Sequence, residues 1–145
     1  FFFEATCPQQ WSISVYGAGH VAQALVPLLC TLPCQVICID ARQEWLDRLP
    51  QLSNLQRHCV SDPTDAAALT PEGSYICMMT KGHSSDVPIL ASLLRERSFP
   101  YVGLIGSVVK GRRVRAELLQ LGLSPAKTEQ IICPIGLPVG SNHQP

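Results

Sequence analysis

Residues 17–22 read Gly-Ala-Gly-His-Val-Ala and follow directly on a short apolar run. Glycines in the first and third places allow a tight turn. They also let a phosphate approach the backbone at a helix N-terminus, where free N–H groups and the helix dipole favour an anion. Ala22 stands where such fingerprints carry a third glycine and keeps the small size that helix–strand packing needs. Gly17, Gly19 and His20 are therefore the first candidates for ligand binding. Asp40 lies 21 residues beyond Gly19, the distance at which a ribose-binding acid is found. Two readings of Asp40 stay open: a ribose acceptor, or a helix N-cap with Gln43 completing a capping box. Arg42 either favours a 2′-phosphate or pairs with Asp40.

A second run, Thr80-Lys81-Gly82-His83-Ser84-Ser85-Asp86, repeats the Gly-His step. An imidazole titrates near physiological pH, so His20 and His83 either meet a ligand or partner or hydrogen-bond to backbone. Asp86, with Ser84 and Ser85, reads as the cap of the helix it opens. In the third run Gly106 and Ser107 end an apolar stretch, and Lys110, Arg112, Arg113 and Arg115 crowd a helix start. Cations there cost about 0.3–1 kcal/mol each, which points to an anion or an acidic partner nearby. The alternative is a solvated basic face, with Glu117 pairing back to Arg113 across one turn. The histidines and Asp86 match no zinc spacing. No Ser-His-Asp, Cys-His or paired-carboxylate arrangement follows from spacing, so no catalytic residue is assigned.

These loops need elements to position them. Apolar patterning predicts strands at 12–16, 35–39, 56–60, 75–79 and 101–105. Helical segments are predicted at 20–32, 45–49, 66–69, 86–95, 112–121 and 124–130, with Pro27 kinking or interrupting the first. Alternating strands and helices imply an α/β fold, a Rossmann-like doubly wound parallel sheet of about five strands in the order 3-2-1-4-5. That order sets the loops after strands one and four side by side at the topological switch point, where such sheets bind ligands. The sequence from Cys133 onward reads as a Pro/Gly-rich loop.

The 145 residues suit one domain, and 46% hydrophobic with 15% charged residues fits a compact core. A formal net charge of zero gives no electrostatic support for nucleic acid or a membrane surface. No apolar run approaches the roughly 20 residues of a spanning helix. The opening FFFEATCPQQW has neither a basic n-region nor an A-x-A site, so it is not read as a secretory signal. Seven cysteines without a C-x-x-C read as reduced, mostly buried thiols of a cytoplasmic protein.

Taken together, GAGHVAQAL, MMTKGHSSD, YVGLIGSVVKGRR and CPIGLPVGS resemble the C-terminal Rossmann domain of the XdhC/CoxI family, xanthine dehydrogenase accessory proteins. The resemblance runs from about Trp11 to Asn142. It makes residues 11–145 that domain and residues 1–10 the tail or linker of a preceding one. It implies an accessory protein rather than an enzyme: a chaperone that receives molybdenum cofactor in a molybdopterin form, holds it during sulfuration and inserts it into the apoenzyme. The implied partners are a xanthine dehydrogenase-type apoenzyme, a cysteine desulfurase or sulfurtransferase, and a second copy of the chain. The implied binding residues are Gly17, Gly19 and His20; Thr80, His83 and Asp86; Gly106, Ser107, Lys110 and Arg113; and Pro134, Gly136, Leu137 and Gly140. The alternatives are an NAD(P)-dependent oxidoreductase domain, for which Asp40 is the ribose-binding residue, and a nucleotide-sensing or structural domain that mediates dimerisation.

Overall fold

The structure is a computed structural model and describes residues 10–137. The N-terminal tail up to residue 9 and Gly140 lie outside the described residues. In chain order the elements are β1 (Ser12–Tyr16), α1 (His20–Leu29), β2 (Gln35–Asp40), α2 (Gln43–Asp47), β3 (Leu55–Cys59) and α3 (Pro63–Ala68). They continue with β4 (Tyr75–Met78), α4 (His83–Leu94), β5 (Tyr101–Leu104), α5 (Val108–Gln120), α6 (Pro125–Glu129) and β6 (Ile131–Ile132). The strands pair in parallel in the order β3-β2-β1-β4-β5-β6. The expected order holds, and one strand is added at its end. β6 is two residues long, too short for any periodicity to show, and extends the sheet by the register Val102↔Ile131 and Gly103↔Ile132.

Side chains alternate across the sheet and fill two separate cores. Ile13, Val15, Val36 and Cys38 face α1 and α2, packing with Ala22, Val26 and Leu46. Tyr16, Ile37, Ile39, Ile76 and Met78 face α3, α4 and α5, packing with Leu90, Leu94, Val114 and Leu118. Fully burying each such side chain contributes about 1.5–3 kcal/mol, so β1, covered on both faces, is the fixed spine of the molecule. Its fully buried Ser14 is satisfied: Ser14 Oγ meets Ser74 Oγ at 2.8 Å.

Helix starts differ from the sequence reading more than strands do. α4 begins at His83, three residues earlier than expected, and α5 at Val108, four earlier. A first helical turn has no preceding turn to pack with, so hydrophobic periodicity is silent there. α1 contains Pro27 without interruption and stops at Leu29. Of the six described cysteines, all free, Cys34 and Cys38 are buried, Cys59 is exposed and the others are half-buried. Burial pushes the Cys38 thiol up to about 12 and the Cys77 thiol up to about 11.

Candidate functional site

The carboxyl ends of β1, β2 and β4 open onto a cleft of about 190 Å³. Tyr16, Ile39, Val60 and Ile89 give it an apolar floor, while Asp40, Arg42, Ser61, Thr80, Lys81 and Ser85 supply polar groups. It lies at the switch point expected from the strand order.

The two glycines of the first turn do different work. Gly17 has φ +101°, and a Cβ there would lie 2.4 Å from the Met79 carbonyl oxygen and 3.0 Å from Thr80 Cα. Its glycine is required so that the β1 and β4 ends can touch. Its N–H donates to Ile39 O at 2.8 Å, tying the turn to β2 as well. Gly19 is the N-cap of α1 with φ −71°, and a Cβ on it would meet nothing within 4 Å. The space it leaves is therefore open to a ligand. No side chain caps α1, and its first turn carries no acid, so its N-terminal N–H groups suit an anion.

Asp40 is neither a free acceptor nor a helix cap. Its Oδ2 accepts from Ala18 N at 2.7 Å and from Arg42 Nη2 at 2.9 Å, and its Oδ1 from Arg42 N at 2.8 Å and Arg42 Nε at 3.0 Å. The cap of α2 is Arg42, and Gln43 turns instead to Asp47. Burial by itself pushes the Asp40 carboxyl up, but the Arg42 guanidinium, the Ala18 and Arg42 N–H donors and the Arg42 charge together hold it below the usual carboxylate range. Asp40 thus braces the glycine turn. The Arg42 guanidinium lies over Trp45 at 4.9 Å, Arg48 lies over the same ring at 4.3 Å, and Arg42 Nη1 is buried with no acceptor among the described residues.

The two histidines do not form a facing pair. His20 meets Trp45 edge-on, centroids 4.9 Å apart, on the α2 side of the sheet. His83 turns to α5 on the other side, its Nε2 2.5 Å from Glu117 Oε1. Glu117 is thereby taken from Arg113, so the expected pair along α5 does not form. Because α5 starts at Val108, Arg112 and Arg113 lie in its second turn, beyond the reach of the dipole term. The dipole argument for an acidic partner therefore does not apply to them.

What the structure does bring together are the β4 and β5 loops. Asp86, expected as a cap, lies inside the first turn of α4 and is fully buried. Its Oδ1 accepts from Thr80 Oγ1 at 2.5 Å, and its Oδ2 lies 2.7 Å from Lys110 Nζ. Lys110 Nζ also donates to Ile105 O at 2.9 Å. Gly106, φ +148°, leaves room for the Lys110 stem, whose Cδ would lie 2.4 Å from an added Cβ. Ser107 caps α5, accepting from Lys110 N at 3.1 Å. Thr80, Asp86, Gly106, Ser107 and Lys110 therefore act as one scaffold, of which Thr80 reaches the cleft. Arg113 is exposed on α5 and forms no part of it. In the Pro-Gly loop, Gly136 N donates to Tyr101 Oη at 3.2 Å, and Leu137 is exposed. Sequence reasoning missed Lys81, Ser61 and Ser85 as lining residues. The signal was present for Lys81 and Ser85, which follow β4 at the switch point.

A family model described as the XdhC Rossmann domain matches residues 13–145. No curated protein matches the sequence. Among solved structures, a xanthine dehydrogenase from Bacillus halodurans is similar at a TM-score of 0.70 and 22% identity, over 90% of this chain and 37% of that one. At that identity the likeness speaks to the fold, and the chain spans little more than a third of that relative's length.

Proposed function

The chain belongs to the XdhC Rossmann-domain family, and from that premise we propose that it supplies the cofactor-holding domain of an accessory protein serving a xanthine dehydrogenase-type molybdoenzyme. The ligand is molybdenum cofactor in a molybdopterin form, held for sulfuration by a cysteine desulfurase or sulfurtransferase and then inserted into the apoenzyme. The setting is cytoplasmic and the working form a homodimer. Among the described residues no helix is long and apolar enough to cross a membrane.

The observation that carries this reading is the open space at Gly19 on an uncapped helix N-terminus, beside a cleft lined by Arg42 and Lys81. An added Cβ at Gly19 would meet nothing within 4 Å, which leaves room for a phosphate beside the turn. The apolar floor of Ile39, Val60 and Ile89 suits a flat ring. At about 190 Å³ the cleft is smaller than the roughly 300–1,000 Å³ of sites that enclose a whole ligand. This domain then grips one end of the cofactor and leaves the other end accessible for transfer. Bound, the cofactor would supply the metal–dithiolene centre used by the acceptor enzyme. This chain's own residues bind and orient: Gly17 and Gly19 shape the turn, Arg42 and Lys81 offset ligand charge, and the Thr80–Asp86–Lys110 scaffold keeps the β4 loop at the rim.

The alternative is an NAD(P)-dependent oxidoreductase domain, favoured by the position of the glycine turn, although the Asp40 carboxylate is taken up by Ala18 and Arg42. Titration of molybdenum cofactor, NAD(H) and NADP(H) into wild type and Gly19→Val separates the two. The expected result is cofactor binding that Gly19→Val abolishes while the fold is retained. Tight NAD(H) binding with no cofactor binding would overturn the chaperone reading.

A further inference from the structure

α1 covers only part of the sheet face on which it lies. The strand register puts Tyr75 and Cys77 of β4, Tyr101 of β5 and Ile132 of β6 on the same face as Ile13 and Val15 of β1. α3, α4 and α5 pack on the opposite face, with α6 against α5. Among the described residues no helix therefore lies over this half of the sheet. The cover over β5 is the Ile135 side chain, whose Cγ1 stands 2.6 Å from where a Gly103 Cβ would lie. Tyr75 and Ile132 stay 39% and 41% exposed. One wall of the resulting groove is α1 itself. Its Ala22 and Val26 face the sheet, and Gln23 reaches the α2 side through Trp45 O at 2.8 Å. With 3.6 residues per turn, Val21, Leu25 and Leu28 then fall on the other flank, towards β4. Val21 and Leu28 are 52% and 65% exposed. Wall and floor are free of charge: no Asp, Glu, Lys or Arg occurs between Glu4 and Asp40, from Tyr75 to Met79, from Tyr101 to Ile105 or from Ile131 to Ile135.

We infer that α1 of a second copy fills this groove, and reciprocally, so that two α1 helices lie side by side between two sheets. The vacant helix position is over β5, two strands from β1. At about 4.8 Å per strand it lies about 10 Å from α1, the separation of two packed helices. A two-fold interface applies one patch to itself, so any charge in it confronts its own copy; a patch without charge is compatible with itself. The same molecule also supplies both halves of the contact, a helical ridge and a bare sheet. The exposed parts of Trp11, Val21, Leu28, Leu32, Tyr75 and Ile132 amount to on the order of 500 Å², the apolar share of a standard interface of about 800 Å² per partner. For each helix to fill the other's groove, the two-fold axis must run along the helix pair, which makes the helices parallel and aligns the amino edges of both sheets. Leu28, in the last turn of α1, and Tyr75, the first residue of β4, both lie at that edge. Leu28 of one copy therefore meets the partner's Tyr75. The inference rests on the homodimer in the reading above and not on its ligand.

Sedimentation velocity on wild type and charged variants tests the packing. The expected result is a wild-type dimer with a dissociation constant of about 10 μM or tighter, weakened at least about tenfold by Leu28→Glu alone and by Tyr75→Lys alone. Mixed in equal amounts, the two variants should form a heterodimer within about threefold of wild-type affinity. The new opposite charges then meet in one of its two reciprocal contacts, and the other contact is unaltered. Far-UV circular dichroism checks the fold of each variant. Ile132→Lys, on the same floor, should weaken the dimer as well and serves as the floor variant if Tyr75→Lys unfolds. A dimer that survives Leu28→Glu, is untouched by the floor variants, or does not return on mixing overturns the inference while the homodimer itself stands. A chain that stays monomeric at about 100 μM overturns both. Cofactor titration on the same samples reports on the chaperone reading separately, since none of these residues lines the cleft.

Discussion

Gly17 and Gly19 are two residues apart in one motif, yet their replacement by alanine should have opposite consequences. At Gly17 an alanine would be held at φ +101° with its Cβ 2.4 Å from Met79 O and 2.7 Å from Met79 C. Left-handed backbone costs an L-residue about 1–2 kcal/mol, and forcing an extra carbon into packed backbone about 1–3 kcal/mol more. Gly17→Ala should therefore lose about 2–5 kcal/mol, against a total stability on the order of 5–15 kcal/mol for a domain. At Gly19 the φ of −71° is ordinary and the Cβ meets nothing. Lower entropy of the unfolded chain gains about 0.4–1 kcal/mol, and the poorer N-cap quality of alanine offsets it by a similar amount. Gly19→Ala should change stability by less than about 0.5 kcal/mol. Urea unfolding followed by the fluorescence of Trp11 and Trp45 reads both values, and ligand titration reads the second effect. Gly17→Ala should melt lower by on the order of 5–15 °C. Gly19→Ala and Gly19→Val should melt near wild type yet bind the cofactor at least tenfold more weakly. Equal destabilisation at both positions would refute the separation of a structural glycine from a ligand-facing one. So would full ligand affinity in Gly19→Val.

Other outcomes follow from the same contacts. Asp86→Ala leaves Lys110 Nζ beside an empty buried site, and because Lys110 is part-exposed the loss should be about 2–4 kcal/mol; a loss below 1 kcal/mol in urea unfolding would show that the pair does not fasten the β4 and β5 loops. For Asp40 the folded carboxyl titrates below its unfolded value, so its stabilisation is present above about pH 4. It is lost as pH falls through the lower folded value. The stability gap between wild type and Asp40→Asn should be about 1.5–3 kcal/mol at pH 7 and close below pH 4; a gap independent of pH would contradict the ion pair. In alkylation at pH 8 read by mass spectrometry, the exposed Cys59 should react well before Cys34 and Cys38, which are buried, and Cys38 should stay unmodified until the chain unfolds. Early labelling of Cys38 would argue against the packed α1 face.

Much of this molecule was legible in its residues. The apolar runs of β1, β2 and β5 are buried on both faces and β4 buries Ile76 and Met78 while leaving Tyr75 exposed, so hydrophobicity marks all four directly, and alternation with helices fixes the parallel order. The Gly-x-Gly-x-x-Ala turn and the loop after β4 were placed at one crevice by topology. The chemistry of individual side chains was less legible. Asp40 has the spacing of a ribose reader, but whether a carboxylate is free depends on which donors fold back onto it. Arg42 is near it in sequence but Ala18 is 22 residues away, and only the bend after β2 and the pairing of β1 with β2 aim both at it.

The sequence by itself determined the class of fold, the family and the glycine turn after β1, because each depends on local periodicity or on backbone freedom at one position. Tertiary structure decided which glycine has open space beside it, that His20 and His83 serve opposite faces of the sheet, and that Asp86 and Lys110 join two loops. Those outcomes depend on partners 20 or more residues away, such as Asp40 for Ala18, Lys110 for Asp86 and Glu117 for His83. Spacing along a chain does not encode which of several reachable donors a buried carboxylate will take; packing of the sheet and its helices does.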